Sequence, residues 1–552
     1  MITTDELIGD FTEEHFTAWC RGRFADFVPK AGKLPAGEFS GARQIGYVRT
    51  LADGELNRPL LVVAVQVDGE LSERSSRKRQ FEFARKALKR AAESPPGTVK
   101  GVMSQGLFVF CGENGDFRMS LVTGRVEGGK PVYNSFKRQT FFVRHDEVNR
   151  TFRDQTAQEF GDFKALCEAF SIEALAKQFY KELFAWYEWA LSDEMDVRYP
   201  NDIHTDKDNR DLIPEHMIRL ITRLMFVWFI KQKKLVPDEI FKVEELRKLL
   251  KDFDPESETD GNYYNAILQN LFFATLNNQI EDRAFATNGT TRAENENHYG
   301  VKTLFRNPKG GSWFKVPDAR ILKLFEKVPF LNGGLFECLD RPEDERTKRI
   351  LYYDGFSREE KVKGKLTRAH VPNGLFFDEE RGLIPLFQRY NFTVEENSPN
   401  DAEVALDPEL LGKVFENLLG AYNPETKETA RKQSGSFYTP REIVSYMVDE
   451  SLKQYLKTRT GVDDAVLAPL FEEEAKADLP AGKRKELAAA IRTVKILDPA
   501  CGSGAFPMGA LHRLVDLLVK LEGQPESLYD LKLHLIENCI YGVDIQTIAV
   551  QI

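Results

Sequence analysis

The 552-residue chain is poor in the residues that build disulfide frameworks and local metal sites. Its six cysteines are scattered and form no Cys-x-x-Cys pair, and its eight histidines show no His-Glu-x-x-His spacing. The pattern argues against a disulfide framework and against a zinc site built from neighbouring residues, so no metal ligands are predicted. Scattered cysteines without paired spacing are typical of proteins that work in a reducing compartment.

Long apolar runs are also missing. The most apolar window, 217–230, is interrupted by Arg219 and Arg223. The first eleven residues contain neither a basic region nor an apolar stretch. We therefore expect no secretory signal and no membrane association, and we expect a cytoplasmic location.

The chain has no excess of positive charge. Lysine and arginine number 76 against 86 aspartates and glutamates, which gives a net charge of −10. Contact with a nucleic acid must therefore come from a local basic surface rather than from the field of the whole protein.

The composition is that of a folded globular protein, with 42% hydrophobic residues. Its length predicts three or four domains. The overall fold class predicted is α/β. Residues 1–155 are expected to form an α/β domain, because 59–67 and 106–110 have the pattern of buried strands and 79–93 that of a helix between them. We expect residues 156–430 to be a mainly helical connector in which the polar stretch 253–320 is irregular or an inserted lobe. A further unit is expected at 431–552.

The sharpest local signal lies in this last unit. A strand is predicted over 494–498, a tight loop over 499–504 and a helix over 505–521. Gly502 and Gly504 permit positive φ and close approach of a ligand to the backbone, and the helix start offers free N–H groups. Neither a dinucleotide-binding pattern nor a Walker A sequence is present. Upstream, Thr439, Pro440 and Glu442 predict a capping box with a helix beginning at Pro440.

Residues 498–506, Asp-Pro-Ala-Cys-Gly-Ser-Gly-Ala-Phe, resemble the cofactor motif of class I S-adenosylmethionine-dependent DNA methyltransferases, and specifically its adenine-N6 branch. Residues 436–440, Ser-Phe-Tyr-Thr-Pro, and 540–544, Ile-Tyr-Gly-Val-Asp, resemble two neighbouring motifs. Segments beginning at Asp407 and Phe330 resemble parts of type IIG restriction-modification enzymes and of BREX-type phage-defence methyltransferases. The resemblance implies a Rossmann-like methyltransferase sheet, of which 431–552 is the N-terminal part.

The resemblance also implies roles for individual residues. Asp544 would accept hydrogen bonds from the ribose hydroxyls, Asp498 would lie near the ammonium group, and Phe506 would lie beside the sulfonium. We read Cys501 as a small packing residue rather than a nucleophile. The cofactor-binding residues implied are Tyr438, Thr439, Pro440, Asp498, Pro499, Ala500, Gly502, Gly504, Phe506, Asp544 and Ile545.

One departure from the family limits this interpretation. The catalytic signature Asn/Asp/Ser-Pro-Pro-Tyr/Phe is absent, and the sole Pro-Pro, at Pro95 and Pro96, is followed by glycine and lies far upstream. We therefore assign no catalytic residue. The sequence is interpreted as a C-terminally truncated or split enzyme, for which a partner polypeptide would supply the rest of the methyltransferase and the target recognition.

A nuclease is the second activity that the resemblance raises, since type IIG enzymes carry one in the amino-terminal region. Its site is an acid followed by an acid-x-Lys strand, which together hold Mg²⁺. Here Asp53 or Glu55 is the candidate first acid, whereas Gln66 replaces the second acid and Asp68 the lysine. We expect a degenerate nuclease-like fold, with Mg²⁺ relevant only if the domain cleaves DNA.

The best candidate for phosphate contact is the basic segment 73–90, which has eight basic and two acidic residues, although a solvated helix face explains it equally well. The function predicted is site-specific DNA adenine-N6 methylation in a restriction-modification or phage-defence system, with double-stranded DNA as the partner. Two alternatives stay open: a non-catalytic DNA-binding subunit of a split enzyme, and a type IIG endonuclease that uses S-adenosylmethionine as an effector.

Overall fold

The structure is a computed structural model that describes residues 2–33, 39, 41–54, 56–72, 76–93, 102–127, 130–132, 135–147, 149–200, 213–286, 302–331, 334–342, 350–393, 401–407, 412–414, 416, 418, 439–472 and 479–544. Mixed α/β structure runs through these residues, in agreement with the predicted class.

The described α-helices are α1 Thr4–Gly9, α2 Glu13–Arg23, α3 Arg77–Glu93, α4 Arg150–Gln155, α5 Phe163–Ala169, α6 Ile172–Ala190, α7 Ile213–Gln232, α8 Val243–Leu249, α9 Gln269–Leu271, α10 Asp318–Leu324, α11 Gly374–Phe377, α12 Leu383–Gln388, α13 Arg441–Thr460, α14 Asp464–Phe471, α15 Ala481–Arg492, α16 Ala505–Glu522 and α17 Leu528–Cys539. The 3₁₀ turns are Asp238–Phe241, Ile280–Asp282 and Gly334–Phe336.

The described strands are β1 Phe27–Lys33, β2 Gly41–Val48, β3 Ala52–Asp53, β4 Leu56–Asn57, β5 Leu60–Gln66, β6 Gln105–Cys111, β7 Phe117–Thr123, β8 Val126–Glu127, β9 Lys130–Pro131, β10 Lys137–Val143, β11 Arg341–Pro342, β12 Ile350–Leu351, β13 Lys361–Val362, β14 Lys365–Leu366, β15 Asp401–Glu403, β16 Ile496–Asp498 and β17 Ile540–Gly542.

A seven-stranded sheet dominates the amino-terminal region, with the order β1-β2-β5-β6-β7-β10-β15. Neighbouring strands are antiparallel except for the pairs β5-β6 and β10-β15, which are parallel. The predicted strands at 59–67 and 106–110 correspond to β5 and β6, and α3 is the crossover helix that a parallel pair requires. Both strands are central and almost wholly buried, which explains their continuous apolar sequence.

The strand β15 returns from more than 250 residues downstream to this sheet. Arg138 on β10 holds it with a two-point ion pair, in which Nε and Nη2 lie 2.9 and 2.7 Å from the two carboxylate oxygens of Asp401. Arg77 from α3 lies 3.2 Å from the same carboxylate. The Arg138 side chain has no solvent exposure, so this ion pair is a buried structural element.

The two faces of the sheet contribute to different hydrophobic cores. One face packs with Phe83 and Leu88 of α3. The other belongs to a large buried cluster that runs from Leu7 to Leu418. That cluster includes residues on both sides of residue 155, and the domain boundary placed there stays a prediction.

The stretch 253–320, expected to be irregular or an inserted lobe, consists mostly of turns and loops where it is described, but it also contains a helical run. Two π-helical turns, Tyr264–Leu268 and Phe272–Leu276, flank α9 and form one buried helical run. Its amides are satisfied inside the protein; Asn270, for example, donates to the backbone oxygens of Ala266 and Arg306. Helices α6 and α7 are the longest elements of the middle region. Within the described residues, no helix combines the length and apolarity needed to cross a membrane.

Residues 444–539 build a separate core in which α13, α15 and α17 surround α16. The contact between α13 and α16 is close, since a Cβ added at Gly509 would lie 2.4 Å from Cγ1 of Val444. Val444, Val448 and Leu452 of α13 are buried, whereas Ile443 and Met447 are about half exposed.

The start of α13 corrects one prediction. The helix begins at Arg441, and Pro440 is its extended N-cap residue, with ψ 143° and no side-chain capping bond. Thr439 and Glu442 therefore do not form the predicted capping box. The Glu442 carboxylate instead lies 3.7 Å from Nζ of Lys137 on β10.

Candidate functional site

The candidate site lies at the carboxyl ends of β16 and β17. These strands are parallel, with Asp498 opposite Gly542. The chain leaves β16 through the loop 499–504 and enters α16 at Ala505. This strand, loop and helix arrangement is the one that the sequence predicts, and the carboxyl edge of parallel strands is where ligands of such folds bind.

Backbone hydrogen bonds tie the loop to β17. The Val543 amide donates to the Asp498 carbonyl over 2.9 Å, and the Cys501 amide donates to the Val543 carbonyl over 3.0 Å. The Gly502 amide donates to Oδ2 of Asp544 over 2.9 Å. Asp498 and Asp544, which are 46 residues apart in the sequence, therefore lie at the same loop.

The two loop glycines have the backbone conformation that the sequence suggests. Gly502 has φ 53° and Gly504 has φ 95°. Residues with a Cβ atom adopt such positive φ angles only with backbone strain, whereas glycine adopts them freely. Gly504 is also the N-cap residue of α16. Free N–H groups of the helix start therefore face the loop.

Asp498 has one satisfied and one unsatisfied carboxylate oxygen. Its Oδ1 accepts a hydrogen bond from the Ala500 amide over 3.1 Å. Its Oδ2 is buried and has no hydrogen-bond partner within the part of the chain that the structure describes. An oxygen of this kind is available to a donor on a ligand.

Cys501 fits the packing role predicted for it. A Cβ added at Gly542 would lie 2.9 Å from its Sγ, so the thiol occupies the space above that glycine. Burial raises the pKa of the Cys501 thiol, and the charges of Asp498 and Asp544 raise it further. The thiolate needed for nucleophilic attack is therefore disfavoured.

The structure locates most, but not all, of the cofactor residues proposed from sequence. Phe506 is half-buried and packs against the core of this region. Thr439 is half-buried and Pro440 exposed at the start of α13, whereas Pro499 and Ala500 are exposed in the loop. Tyr438 and Ile545 lie outside the described residues, as do Ser436 and Phe437 of the same motif.

Glu416 is a residue of this site that the sequence interpretation missed. Its Oε1 accepts hydrogen bonds from the Ser503 amide over 3.2 Å and from the Ser503 hydroxyl over 2.8 Å. Glu416 is 9% exposed. The segment beginning at Asp407 was noted for its resemblance to type IIG enzymes, but sequence spacing alone gave no sign that one of its acids reaches a loop 87 residues away.

The nuclease-like candidates do not come together. Asp53 forms an ion pair with Arg58 over 2.9 Å, which places it beside the start of β5. Gln66 is the last residue of β5, and Asp68 follows it. A seven-residue strand is about 20 Å long, so the proposed first acid and the acid-x-Lys position lie at opposite ends of β5. Glu55 lies outside the described residues.

One group in the described residues has metal-ligand spacing, namely Asp116, His145 and Asp146, whose candidate ligand atoms all lie within 4.8 Å of one another. Contacts inside the protein account for this proximity. Asp116 accepts hydrogen bonds from Asn114 and from the His145 amide, and the His145 ring nitrogen lies 3.1 Å from the same carboxylate. We assign no ion to this group.

The basic helix α3 is partly used for internal contacts. Arg77 pairs with Asp401 and Glu403, and the Arg85 side chain is 6% exposed beside Glu82. The basic residues exposed on this helix are Lys78, Arg79, Lys86, Lys89 and Arg90. The candidate phosphate-contacting surface is therefore smaller than the sequence count suggests.

Comparison with known proteins finds two relatives that are named as methyltransferases of restriction-modification systems. The chain is 26% identical over 410 residues to a protein of Methanocaldococcus jannaschii named putative type II restriction enzyme and methyltransferase RM.MjaORFECS2P, a match that covers 69% of this chain and 29% of that protein. It is 28% identical over 151 residues to the type I restriction enzyme HindI methylase subunit of Haemophilus influenzae, covering 27% of this chain and 30% of that subunit.

No family model and no solved structure matches the chain. The matched regions span about three tenths of the length of each of the two curated relatives. The two similarities support a relationship to the methyltransferases of restriction-modification systems.

Proposed function

We propose that this chain carries the S-adenosylmethionine site of a DNA adenine-N6 methyltransferase that belongs to a restriction-modification or phage-defence system. The observation that carries the proposal is the loop 498–504, held at the carboxyl ends of two parallel strands with Asp498 and Asp544 beside it. The names of the relatives support the methyltransferase class. The adenine-N6 assignment rests on the resemblance of residues 498–506 to that branch, in which a phenylalanine ends the motif.

The residues present fit this cofactor, which has two cationic groups and two ribose hydroxyls. Asp544 at the end of β17 would hold the ribose, since a carboxylate accepts two hydrogen bonds from a diol. The free Oδ2 of Asp498 would take the ammonium group, directly or through water. Phe506 would lie beside the sulfonium, because an aromatic face tolerates positive charge.

The remaining proposed contacts are small or backbone groups. Gly502 and Gly504 would let the backbone approach the methionine part of the cofactor. The segment Tyr438, Thr439 and Pro440 would lie near the same end. Pro499, Ala500 and Ile545 complete the proposed set of cofactor-binding residues.

The bound cofactor supplies an electrophilic methyl group. Transfer to an adenine amino group needs a flipped base, a polar side chain to accept its N–H bonds and an aromatic ring to stack on it. The signature that carries these groups is absent from this sequence. We therefore propose that this chain alone does not methylate DNA.

A further polypeptide segment would complete the site. The β16-β17 pair presents apolar side chains to solvent, with Leu497, Tyr541 and Val543 exposed by 63%, 43% and 55%. Further strands would cover such a surface and bring the catalytic signature. We propose double-stranded DNA as the substrate, with the exposed basic residues of α3 as a candidate phosphate contact.

The separation of Asp53 from Gln66 argues against the alternative in which S-adenosylmethionine is only the effector of a nuclease. The alternative of a non-catalytic subunit predicts no cofactor binding.

The test combines binding with activity. The full chain is titrated with S-adenosylmethionine by calorimetry and then assayed for transfer of tritiated methyl groups to DNA, alone and with a polypeptide that carries the missing signature. We expect binding by the chain and methylation of adenine only in the combination. Absence of binding contradicts the proposed site. Methylation by the chain alone, above the level of an Asp498→Ala variant, contradicts the proposed incompleteness.

A further inference from the structure

Glu416 lies against the candidate cofactor loop but has no role in the site as proposed so far. It is the only described acid outside 496–544 that hydrogen bonds to the loop 499–504, through Oε1 and Ser503. A Cβ added at Gly502 would lie 2.7 Å from this Oε1 and 3.6 Å from the carboxylate carbon. The carboxylate therefore covers the loop at Gly502 and Ser503.

The second oxygen of this carboxylate is unsatisfied. Glu416 is 91% buried, and its Oε2 has no hydrogen-bond partner among the described residues. Burying a carboxylate oxygen without a donor is unfavourable, and such groups in folded proteins call for an explanation. The Oδ2 atom of Asp498 is in the same condition at the other end of the same loop.

The charges around the loop select the kind of donor. Glu416, Asp498 and Asp544 place three carboxylates beside it, so a cationic group that carries several N–H donors is favoured over a neutral or anionic one. An ammonium group meets this requirement, whereas a sulfonium carries positive charge but no hydrogen to donate.

We propose that Glu416 is an additional ligand-binding residue, with Oε1 fixing Ser503 and Oε2 accepting a hydrogen bond from the α-ammonium group of the bound cofactor. The inference rests on the proposed function, because it takes S-adenosylmethionine as the ligand. Glu416 would then join Asp498 in binding the methionine part of the cofactor, although it lies outside the unit formed by β16, the loop 499–504 and α16.

The Glu416→Gln variant separates the two roles. Its amide oxygen still accepts the two Ser503 hydrogen bonds, but an NH₂ group replaces Oε2 and presents a donor to the ammonium. The probes are S-adenosylhomocysteine and its analogue in which hydrogen replaces the α-amino group. Affinities are measured by calorimetry on the full chain, with thermal unfolding as a check of folding.

We expect Glu416→Gln to weaken binding of S-adenosylhomocysteine by roughly 10-fold or more, as for a lost hydrogen bond to a charged group, and to change binding of the deaminated analogue by less than about 2-fold. Glu450→Gln, which removes an exposed acid on α13, is the matched control and leaves both affinities unchanged. Ser503→Ala removes one loop contact only, so it weakens both ligands by the same small factor.

Equal losses for the two ligands in Glu416→Gln would show that the residue only positions the loop, and unchanged affinities would show that it has no role; either result overturns the inference. If the wild-type chain binds neither S-adenosylhomocysteine nor S-adenosylmethionine, the proposed function itself fails and the inference with it. These outcomes are distinguishable, because only the last one affects the wild type.

Discussion

The carboxyl end of β5 was interpreted from sequence as part of a degenerate nuclease site and the carboxyl ends of β16 and β17 as a cofactor site. The two places differ in how their acids are arranged. At β16 and β17, Asp498, Asp544 and Glu416 converge on one loop, and two of their oxygens lack hydrogen-bond donors. At β5, Asp53 lies at the opposite end of the strand from Gln66 and is neutralised by Arg58.

The comparison contrasts acids that form ion pairs within the fold with acids that we propose bind a ligand. Near the amino-terminal sheet, the buried acid Asp401 is matched by Arg138 and Arg77. At the loop 498–504, Glu416 and Asp544 instead accept hydrogen bonds from loop groups, namely from Ser503 and from the Gly502 amide. We therefore expect substitutions in the first region to change stability and substitutions in the second to change ligand binding.

The largest effect is expected for Arg138→Ala. Removing this side chain takes away the shorter of the two described ion pairs of Asp401, whose side chain is 19% exposed, and loss of one partner of a buried ion pair costs about 3 to 5 kcal/mol of unfolding free energy. Arg49→Ala is the control, because Arg49 pairs with Asp26 at the surface and its loss costs at most about 1 kcal/mol. Urea unfolding of both variants measures the difference. Equal losses would show that the ion pair between Arg138 and Asp401 stabilises the sheet no more than a surface pair does.

A smaller effect, on binding rather than folding, is expected for Asp544→Ala. The loss of hydrogen bonds between the ribose and a carboxylate should cost roughly 1.5 to 3 kcal/mol of S-adenosylhomocysteine affinity. Calorimetric titration measures it, with Asp516→Ala on α16 as a control that leaves affinity unchanged. An Asp544→Ala variant that binds as tightly as the wild type would show that the acid at the end of β17 is not the ribose ligand.

The acid dependence of stability should also distinguish the regions. Burial alone would raise the pKa of Asp401, but the charges of Arg138 and Arg77 outweigh it and hold the pKa below its ordinary value of 3.8. A lowered folded-state pKa gives stability that is present above the unfolded value and lost as pH falls through the folded value. The Asp401→Asn variant, although less stable at neutral pH, should therefore lose less stability between pH 5 and pH 3 than the wild type. Parallel curves in that range would contradict the ion-pair assignment.

No effect is expected for Asp53→Ala on cleavage of DNA. The wild-type chain should not cut plasmid DNA in Mg²⁺, because Gln66 supplies no charged ligand and the candidate acid lies at the other end of β5. Gel analysis of plasmid incubated with each protein tests this. Specific double-strand cuts that disappear in the variant would restore the nuclease interpretation.

The sequence was sufficient to predict those helices, strands and loops that a local pattern of residue types specifies. The apolar, β-branched run of β5 and the strand, loop and helix around Gly502 and Gly504 were predicted within one or two residues, because burial and positive φ leave a direct trace in residue type. The start of α13 was one residue out. Pro440 is compatible with both the first helical position and an extended cap, and residue type does not separate the two.

Long-range features were not predictable in this way. The buried run from Tyr264 to Leu276 lies in a stretch that is polar overall, and its asparagines bond to backbone oxygens of segments up to about a hundred residues away, as Asn265 does to Ala369. Glu416 was missed for the same reason: its partner, Ser503, is distant in sequence. The pairing of Asp401 with Arg138 likewise depends on a chain return that no local pattern indicates.

The central claim is that the loop 498–504 binds S-adenosylmethionine, and ultraviolet cross-linking with tritiated S-adenosylmethionine tests it most directly. Trypsin cleaves after Lys495 and Arg513, so the whole loop lies in the single peptide 496–513. The account predicts that this peptide carries label and that excess unlabelled S-adenosylhomocysteine abolishes the labelling. Label confined to other peptides, or labelling that S-adenosylhomocysteine does not compete away, would contradict the claim.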